Sequence, residues 1–497
     1  MARKLFSEYF YNNISYLGAA LAIVVFVIEC ILFGMEFLSA GANSYLSLFT
    51  YVMLPPILIF GLFLIPLGAF YKKRDIRLGR TSDAPATLVI DLNNPSHRNA
   101  GIVFIVGTTI LLVMTAIGSY KAFNYTESVV FCGTTCHGIM KPEYTAYMKS
   151  PHARVKCVDC HIGSGAGWYV HSKLSGARQV LKTFLNDYAR PIPVPVQDLR
   201  PAKDTCEECH WPGKSFGAIE LERSYFSGEA KENSRWNVRM LMHVSGKEQG
   251  NYGIHAHMNN DNAIYYVADD EKRQKISWVK SVNKKGEETI YTTKDSEHNK
   301  NVPSEEKIRK MDCIDCHSRP SHHYEAPMPL VNRAIAEGKI NSDIPFIKAK
   351  AVEVLAKKYT TEEQAVSDIR SKLLAYYKDK QSAYYVSHEK EIHDSIEQVV
   401  VLFKNNIFPE MKVRWDEYPD NIGHMISLGC FRCHDGEHST TSGKAITRDC
   451  GVCHAIIEQG PAGNTEKSVD GLPFQHPFNG DESWKEMKCS DCHSGAY

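Results

Sequence analysis

The 497-residue sequence predicts a three-helix membrane anchor followed by an extramembrane domain that is mainly α-helical and irregular, low in regular secondary structure, with a small β insertion. Three observations predict it. Long apolar runs are confined to the first 122 residues, a paired-cysteine motif recurs seven times beyond residue 130, and a motif-free stretch between the motif groups has helical spacing of apolar residues. The expected boundaries are a membrane domain over 1–122, a four-motif module over 123–330 with an insertion at about 214–312, a helical spacer over 331–410 and a three-motif module over 411–497. Balanced charge, 57 basic and 57 acidic residues, argues against a nucleic-acid partner.

The apolar runs cover about 14–38, 46–71 and 101–122, each long enough for the ~20 residues that cross a bilayer as a helix. Arg3 and Lys4 precede the first; Lys72, Lys73, Arg74, Arg77, Arg80 and Arg98 crowd the 72–100 loop; the 41–47 link is uncharged. Positive charge stays on the cytoplasmic side, so the N-terminus and the 72–100 loop are expected there, in a three-pass protein of the bacterial inner membrane. Everything after Lys121 then faces the periplasm. No small-residue cleavage site follows the first run, which is expected to remain as an anchor. Pro55, Pro56 and Pro66 are expected to kink the second helix. Glu29 and Glu36 interrupt the first; the deeper Glu29 is a candidate for a proton or substrate path. Cys30 reads as a small apolar filler.

Fourteen of the fifteen cysteines form seven pairs, and each pair is followed at once by histidine. They are Cys132/Cys136-His137, Cys157/Cys160-His161, Cys206/Cys209-His210, Cys313/Cys316-His317, Cys430/Cys433-His434, Cys450/Cys453-His454 and Cys489/Cys492-His493. The first has one extra spacer residue. Two thiols for thioether bonds and an adjacent imidazole for iron are what covalent haem c attachment requires. Zinc ribbons also use paired cysteines, but they do not need a histidine after every pair. The expectation is seven haem c groups, in a multihaem cytochrome c. Covalent haem attachment takes place outside the cytoplasmic membrane, which agrees with the sidedness read from charge.

A low-spin haem needs a second axial ligand. Candidates close to motifs are His152, His322, His424 and His438; His255 and His257 share one short stretch, His476 sits between Gln475 and Pro477, and His171 is a further candidate. Met140 competes for the first haem. His298 and His388 read as surface residues, and His243 and His393 as weaker candidates. Between the third and fourth motifs, 263–268, 275–282 and 288–293 read as strands with a turn at Asn283–Gly286. In the spacer, Ala351, Val354, Leu355, Ile369, Leu373 and Leu374 repeat at helical intervals, with Thr360 or Thr361 as a cap.

The stretch from Cys132-Gly-Thr-Thr-Cys136-His137-Gly-Ile-Met140 through Ser150-Pro-His152 to Cys157-Val-Asp-Cys160-His161 resembles the NapC/NirT family of membrane-anchored quinol-oxidising cytochromes. The resemblance covers about 120–320. The whole layout resembles the seven-haem inner-membrane cytochromes of metal-reducing bacteria. It implies menaquinol as substrate, Met140 at the first haem, and His152 and His322 as distal ligands to later haems. It also implies Lys173 beside the quinol pocket, with Glu143 and Glu29 as candidates for the pocket carboxylate. Family members carry a shorter first motif and a single membrane helix; this chain has one more spacer residue and three helices.

The expected function is therefore a menaquinol dehydrogenase and electron conduit, drawing on the membrane quinol pool and passing electrons to soluble periplasmic multihaem cytochromes in anaerobic or extracellular respiration. Two other readings stand beside it. One is an electron-transfer subunit without its own quinol site; the other is a terminal reductase of a nitrogen oxyanion, for which an open iron site would be needed.

Overall fold

The computed structural model describes residues 8–38, 50, 53–79, 92–93, 95–135, 137–163, 166–194, 201–211, 217–228, 232–245, 253–258, 262–477 and 482–496. It divides into two compact units, Met1–His137 and Gly138–Tyr497.

In the first unit, α1 (Asn13–Leu38), α2 (Leu54–Arg77) and α3 (Pro95–Thr126) are each long and apolar enough to cross a membrane. Helices α1 and α2 approach closely because Gly18 and Gly61 face each other. A Cβ on Gly18 would meet the Gly61 carbonyl oxygen at 2.6 Å, the small-residue logic of helix contacts in lipid. The Ser15 hydroxyl seals the contact by donating to the Ile65 carbonyl at 2.9 Å. Two expectations shift. Pro55 and Pro56 stand in the first turn of α2, where a missing N–H costs nothing, so only Pro66 is inside the helix. Lys72, Lys73, Arg74 and Arg77 are its last turns rather than loop, where cations suit the helix dipole. Residues 46–49, expected to begin this helix, lie outside the described ones.

The second unit has its apolar centre where haem motifs are missing. Helices α6 (Pro327–Ala336), α7 (Ile347–Ala356), α8 (Glu362–Lys380) and α9 (Ser382–Asn406) enclose Ile347, Leu355, Ile369, Tyr377, Ile392, Val399 and Phe403, all fully buried. The stretch expected as a spacer is thus the main side-chain core. Thr361 caps α8, its hydroxyl accepting from the Gln364 N–H at 3.1 Å. Before this core come α4 (His137–Lys149) and α5 (Ala166–Phe184).

Regular β structure exceeds the small insertion expected. Strands β3 (Asn262–Ala268), β4 (Ile276–Asn283) and β5 (Glu288–Thr292) form the anticipated antiparallel array, turning at Asn283–Gly286, and β6 (Arg309–Lys310) pairs with β3 just before the fourth motif. A second four-stranded sheet joins β1 (Ala218–Phe226) and β2 (Arg235–His243) to β7 (His454–Pro461) and β8 (Glu466–Leu472). Since β2 pairs with β7 over Trp236↔Pro461 to Met242↔His454, the insertion and the C-terminal segment share one sheet. The four-motif and three-motif regions are accordingly not separate bodies.

Candidate haem-binding sites

Each described motif is built as one tight turn. In the fourth, the His317 N–H closes onto the Cys313 carbonyl at 2.8 Å; His210 does the same to Cys206 at 2.8 Å, His434 to Cys430 at 3.0 Å and His493 to Cys489 at 2.8 Å. Residues three and four apart on a helical turn share a face, so both thiols and the imidazole come together. An aspartate at the third position locks three of these turns. Asp159 accepts from the Lys156 N–H at 3.1 Å, Asp315 from that of Asp312 at 2.7 Å, and Asp491 from that of Lys488 at 3.0 Å. The Val-Asp, Ile-Asp and Ser-Asp spacers carry this signal in the sequence.

The attachment cysteines, alike in spacing, differ in shelter. Cys209 and Cys492 are exposed, as are Cys160 and Cys450, whereas Cys132, Cys157, Cys206, Cys313, Cys316, Cys430, Cys433, Cys453 and Cys489 are partly buried. The Cys209 N–H donates to the Cys206 carbonyl at 3.1 Å, so the second cysteine of the third motif stands beside its first.

Opposite six motif histidines stands a second imidazole. Ring centroids are 6.2 Å apart for His161 and His322, 6.0 Å for His210 and His152, and 6.4 Å for His317 and His255. They are 5.8 Å apart for His434 and His257, 6.3 Å for His454 and His424, and 5.9 Å for His493 and His476. Two imidazoles bound on opposite sides of one metal, at about 2 Å each, put their ring centres about 6 Å apart. Ring stacking alone would permit such spacings, but it would not match six motif histidines with six different non-motif ones. Among the described residues no group of three or more His, Cys, Asp or Glu side chains converges as a zinc ribbon requires. The residues fit haem c.

Burial favours the neutral imidazole at eight of the twelve paired rings. Burial pushes His161, His255, His257, His317, His424, His454 and His493 below the ordinary histidine value, and His322 down to about 4, with Arg319 adding to the effect there. Neutral imidazole is the form that binds iron. Backbone carbonyls orient three rings through Nδ1: Glu143 holds His322 at 3.0 Å, Ile254 holds His257 at 2.8 Å and Thr447 holds His434 at 2.9 Å. Such contacts fix the tautomer and turn Nε2 toward the metal position. Nδ1 of His152, His255, His424, His454 and His493 is buried without a hydrogen-bond partner.

The motifs are stitched to one another. Asp315 is fully buried and accepts from Tyr266 at 2.8 Å, Arg273 at 2.9 Å and Arg309 at 2.9 Å. The Ala202 N–H donates to Asp312 at 3.1 Å, tying the helical turn of the third motif to the fourth. Sequence reading missed these groups because, apart from Arg309, the partners are distant in the chain.

The remaining candidates are placed as follows. His438 stands outside the pairs: its ring meets Asp435 at 3.0 Å through Nδ1 and the Ile276 carbonyl at 3.0 Å through Nε2, so both nitrogens are engaged and it drops out of the ligand set. His322, expected to serve a later motif, lies beside His161 of an earlier one. His388 stacks on Tyr384 at 4.1 Å, while His393 approaches Tyr385 and Glu389. The His243 N–H donates to the Cys453 carbonyl at 2.8 Å. Cys136 and the side chains of His137 and His171 lie outside the described residues; Met140 is on α4, partly buried. Glu29, Glu143 and Lys173 stand on three different helices, α1, α4 and α5. Glu143 pairs with Arg319 at 3.2 Å, and its burial outweighs that cation to hold the carboxyl above the usual range. Lys173 is partly buried on α5.

Comparison with known proteins places the chain among c-type cytochromes. The NapC/NirT cytochrome c family, N-terminal region, matches residues 94–191. The chain is 37% identical over 502 aligned positions to the cytochrome c-type protein ImcH of Geobacter sulfurreducens, covering 100% of this chain and 97% of that protein. No solved structure matches.

Proposed function

Since the chain belongs to the family of the cytochrome c-type protein ImcH, membrane-anchored c-type cytochromes of electron transfer, we propose that it is a seven-haem menaquinol dehydrogenase of the bacterial inner membrane, its haem domain in the periplasm and soluble periplasmic cytochromes as its acceptors. The observation that carries the reading is the combination of seven attachment motifs with three helices able to cross a membrane.

When bound, haem c supplies one-electron redox chemistry at an iron whose potential is tuned by its axial ligands and by burial. The chain's own residues do the rest. Fourteen thiols would hold the groups covalently, and the motif histidines would each bind one iron. We assign the second ligands of the second, third, sixth and seventh motifs to His322, His152, His424 and His476, and that of the first to Met140. Six motif histidines each faced by a second imidazole favour electron transfer over terminal reduction, which needs an open position on iron.

A quinol that gives up electrons also releases protons, and a side chain within hydrogen-bond reach must take them. We assign Lys173 to donate a hydrogen bond to the quinol oxygen, and the proton to a carboxylate. Glu143 is already engaged by Arg319 and, through its backbone, by His322; it and Glu29 are the carboxylates to test beside Lys173. The test is anaerobic mixing of the purified chain, in lipid discs, with a menaquinol analogue. Reduction of its haems supports the reading. Reduction that requires a second membrane protein would replace it with an electron-transfer subunit lacking its own quinol site.

A further inference from the structure

The division of the motifs into a group of four and a group of three is bridged at one short segment. Ile254–Met258 forms a 3₁₀ turn that carries two histidines. The ring of His255 lies 6.4 Å from His317 of the fourth motif, and that of His257 lies 5.8 Å from His434 of the fifth. With three residues per turn, positions two apart project to different sides, so neighbouring histidines reach different partners.

The turn is fixed in place at its start and within itself. Gly253 takes φ +69°, and a Cβ there would meet the His243 carbonyl oxygen at 2.6 Å, so the chain presses against the end of β2 in a way that favours glycine. The His255 N–H donates to the Val244 carbonyl at 3.0 Å. The His257 ring is held by the Ile254 carbonyl at 2.8 Å. The motifs it addresses are themselves joined: Arg432 of the fifth donates to the Asp315 carbonyl of the fourth at 2.7 Å and to the Arg273 carbonyl at 2.9 Å.

We propose that the Ile254–Met258 turn is a two-sided ligand bridge, in which His255 is the distal ligand of the haem at Cys313/Cys316 and His257 that of the haem at Cys430/Cys433. Resting on the haem reading above, it means that the three-motif group does not complete its centres alone: its first motif takes His257 from the insertion of the four-motif region.

The experiment uses the full-length chain and ligand spectroscopy. His255→Ala and His257→Ala should each convert one haem equivalent from low-spin to high-spin ferric signal by electron paramagnetic resonance. Each should also create one carbon monoxide site after reduction, and added imidazole should reverse the change. The double variant should give two equivalents. In a Cys430→Ala/Cys433→Ala background, which removes the fifth haem, His257→Ala should add nothing, whereas His255→Ala should still convert one. His257→Met provides a second route if the alanine variants accumulate poorly, because it should introduce a methionine–iron charge-transfer band. Unchanged spin states, one equivalent from the double variant, or a His257→Ala effect without the fifth motif would each overturn the bridge. None of these readouts uses quinol. A haemochrome count short at either motif would contradict the haem reading itself, while a full count with unaltered ligation would contradict only the bridge.

Discussion

Arg432, inside the fifth attachment motif, donates from Nη2 to the backbone carbonyl of Asp315, inside the fourth, across 2.7 Å. The same guanidinium reaches the Arg273 carbonyl at 2.9 Å and the Gly429 carbonyl at 2.9 Å. One buried side chain therefore ties together three segments that are far apart in sequence.

Arg432→Ala should lower stability by about 2–3 kcal/mol, because buried carbonyls lose charge-assisted donors. Arg432→Lys should recover only part of this, since a single ammonium cannot copy the planar fork. Denaturant unfolding followed by circular dichroism reads both. An unchanged midpoint for Arg432→Ala would contradict the structural role.

The helical core gives a second stability test. Phe403 is fully buried among α6–α9, so Phe403→Ala should cost about 3–5 kcal/mol. Thr361→Ala, removing the cap of α8, should cost about 1 kcal/mol. Hydrogen exchange should localise the second loss to the first turns of α8.

Acid should loosen the sheet shared by the insertion and the C-terminal segment. Glu458 on β7 is held down to about 2 by Thr465, Arg239 of β2 and Lys467 of β8, with Glu220 of β1 sharing the arginine. A carboxylate whose folded value is depressed stabilises the fold above its unfolded value and loses that contribution as pH falls through the folded one. The window therefore runs from about 4.5 down to about 2. Glu458→Gln should flatten stability across it, measured as unfolding midpoints at stepped pH.

How far the fold and site are legible in sequence depends on range. The motif histidines, the three apolar runs, the Asn283–Gly286 turn and the Thr361 cap are local patterns, and all are readable from neighbouring residues. The choice of distal histidine is not. His438 lies four residues after His434 yet is drawn to Asp435 and Ile276, while His257, far away in the chain, faces His434. The β2–β7 pairing escapes for the same reason: its register joins Met242 to His454, and no short-range signal connects them.

Quinol chemistry should depend on Lys173. Lys173→Ala should slow quinol-driven haem reduction by about 10-fold, the scale of one lost charge-assisted hydrogen bond, with reduction by dithionite unaffected. Stopped-flow absorbance measures both. Equal rates with quinol would remove Lys173 from the pocket.

Everything rests on the covalent haems, and a pyridine haemochrome assay on the purified chain, normalised to protein, addresses them directly. The account predicts seven haem c groups per chain, all retained after acid–organic extraction. A colourless chain, or one whose paired thiols titrate as free, would contradict it.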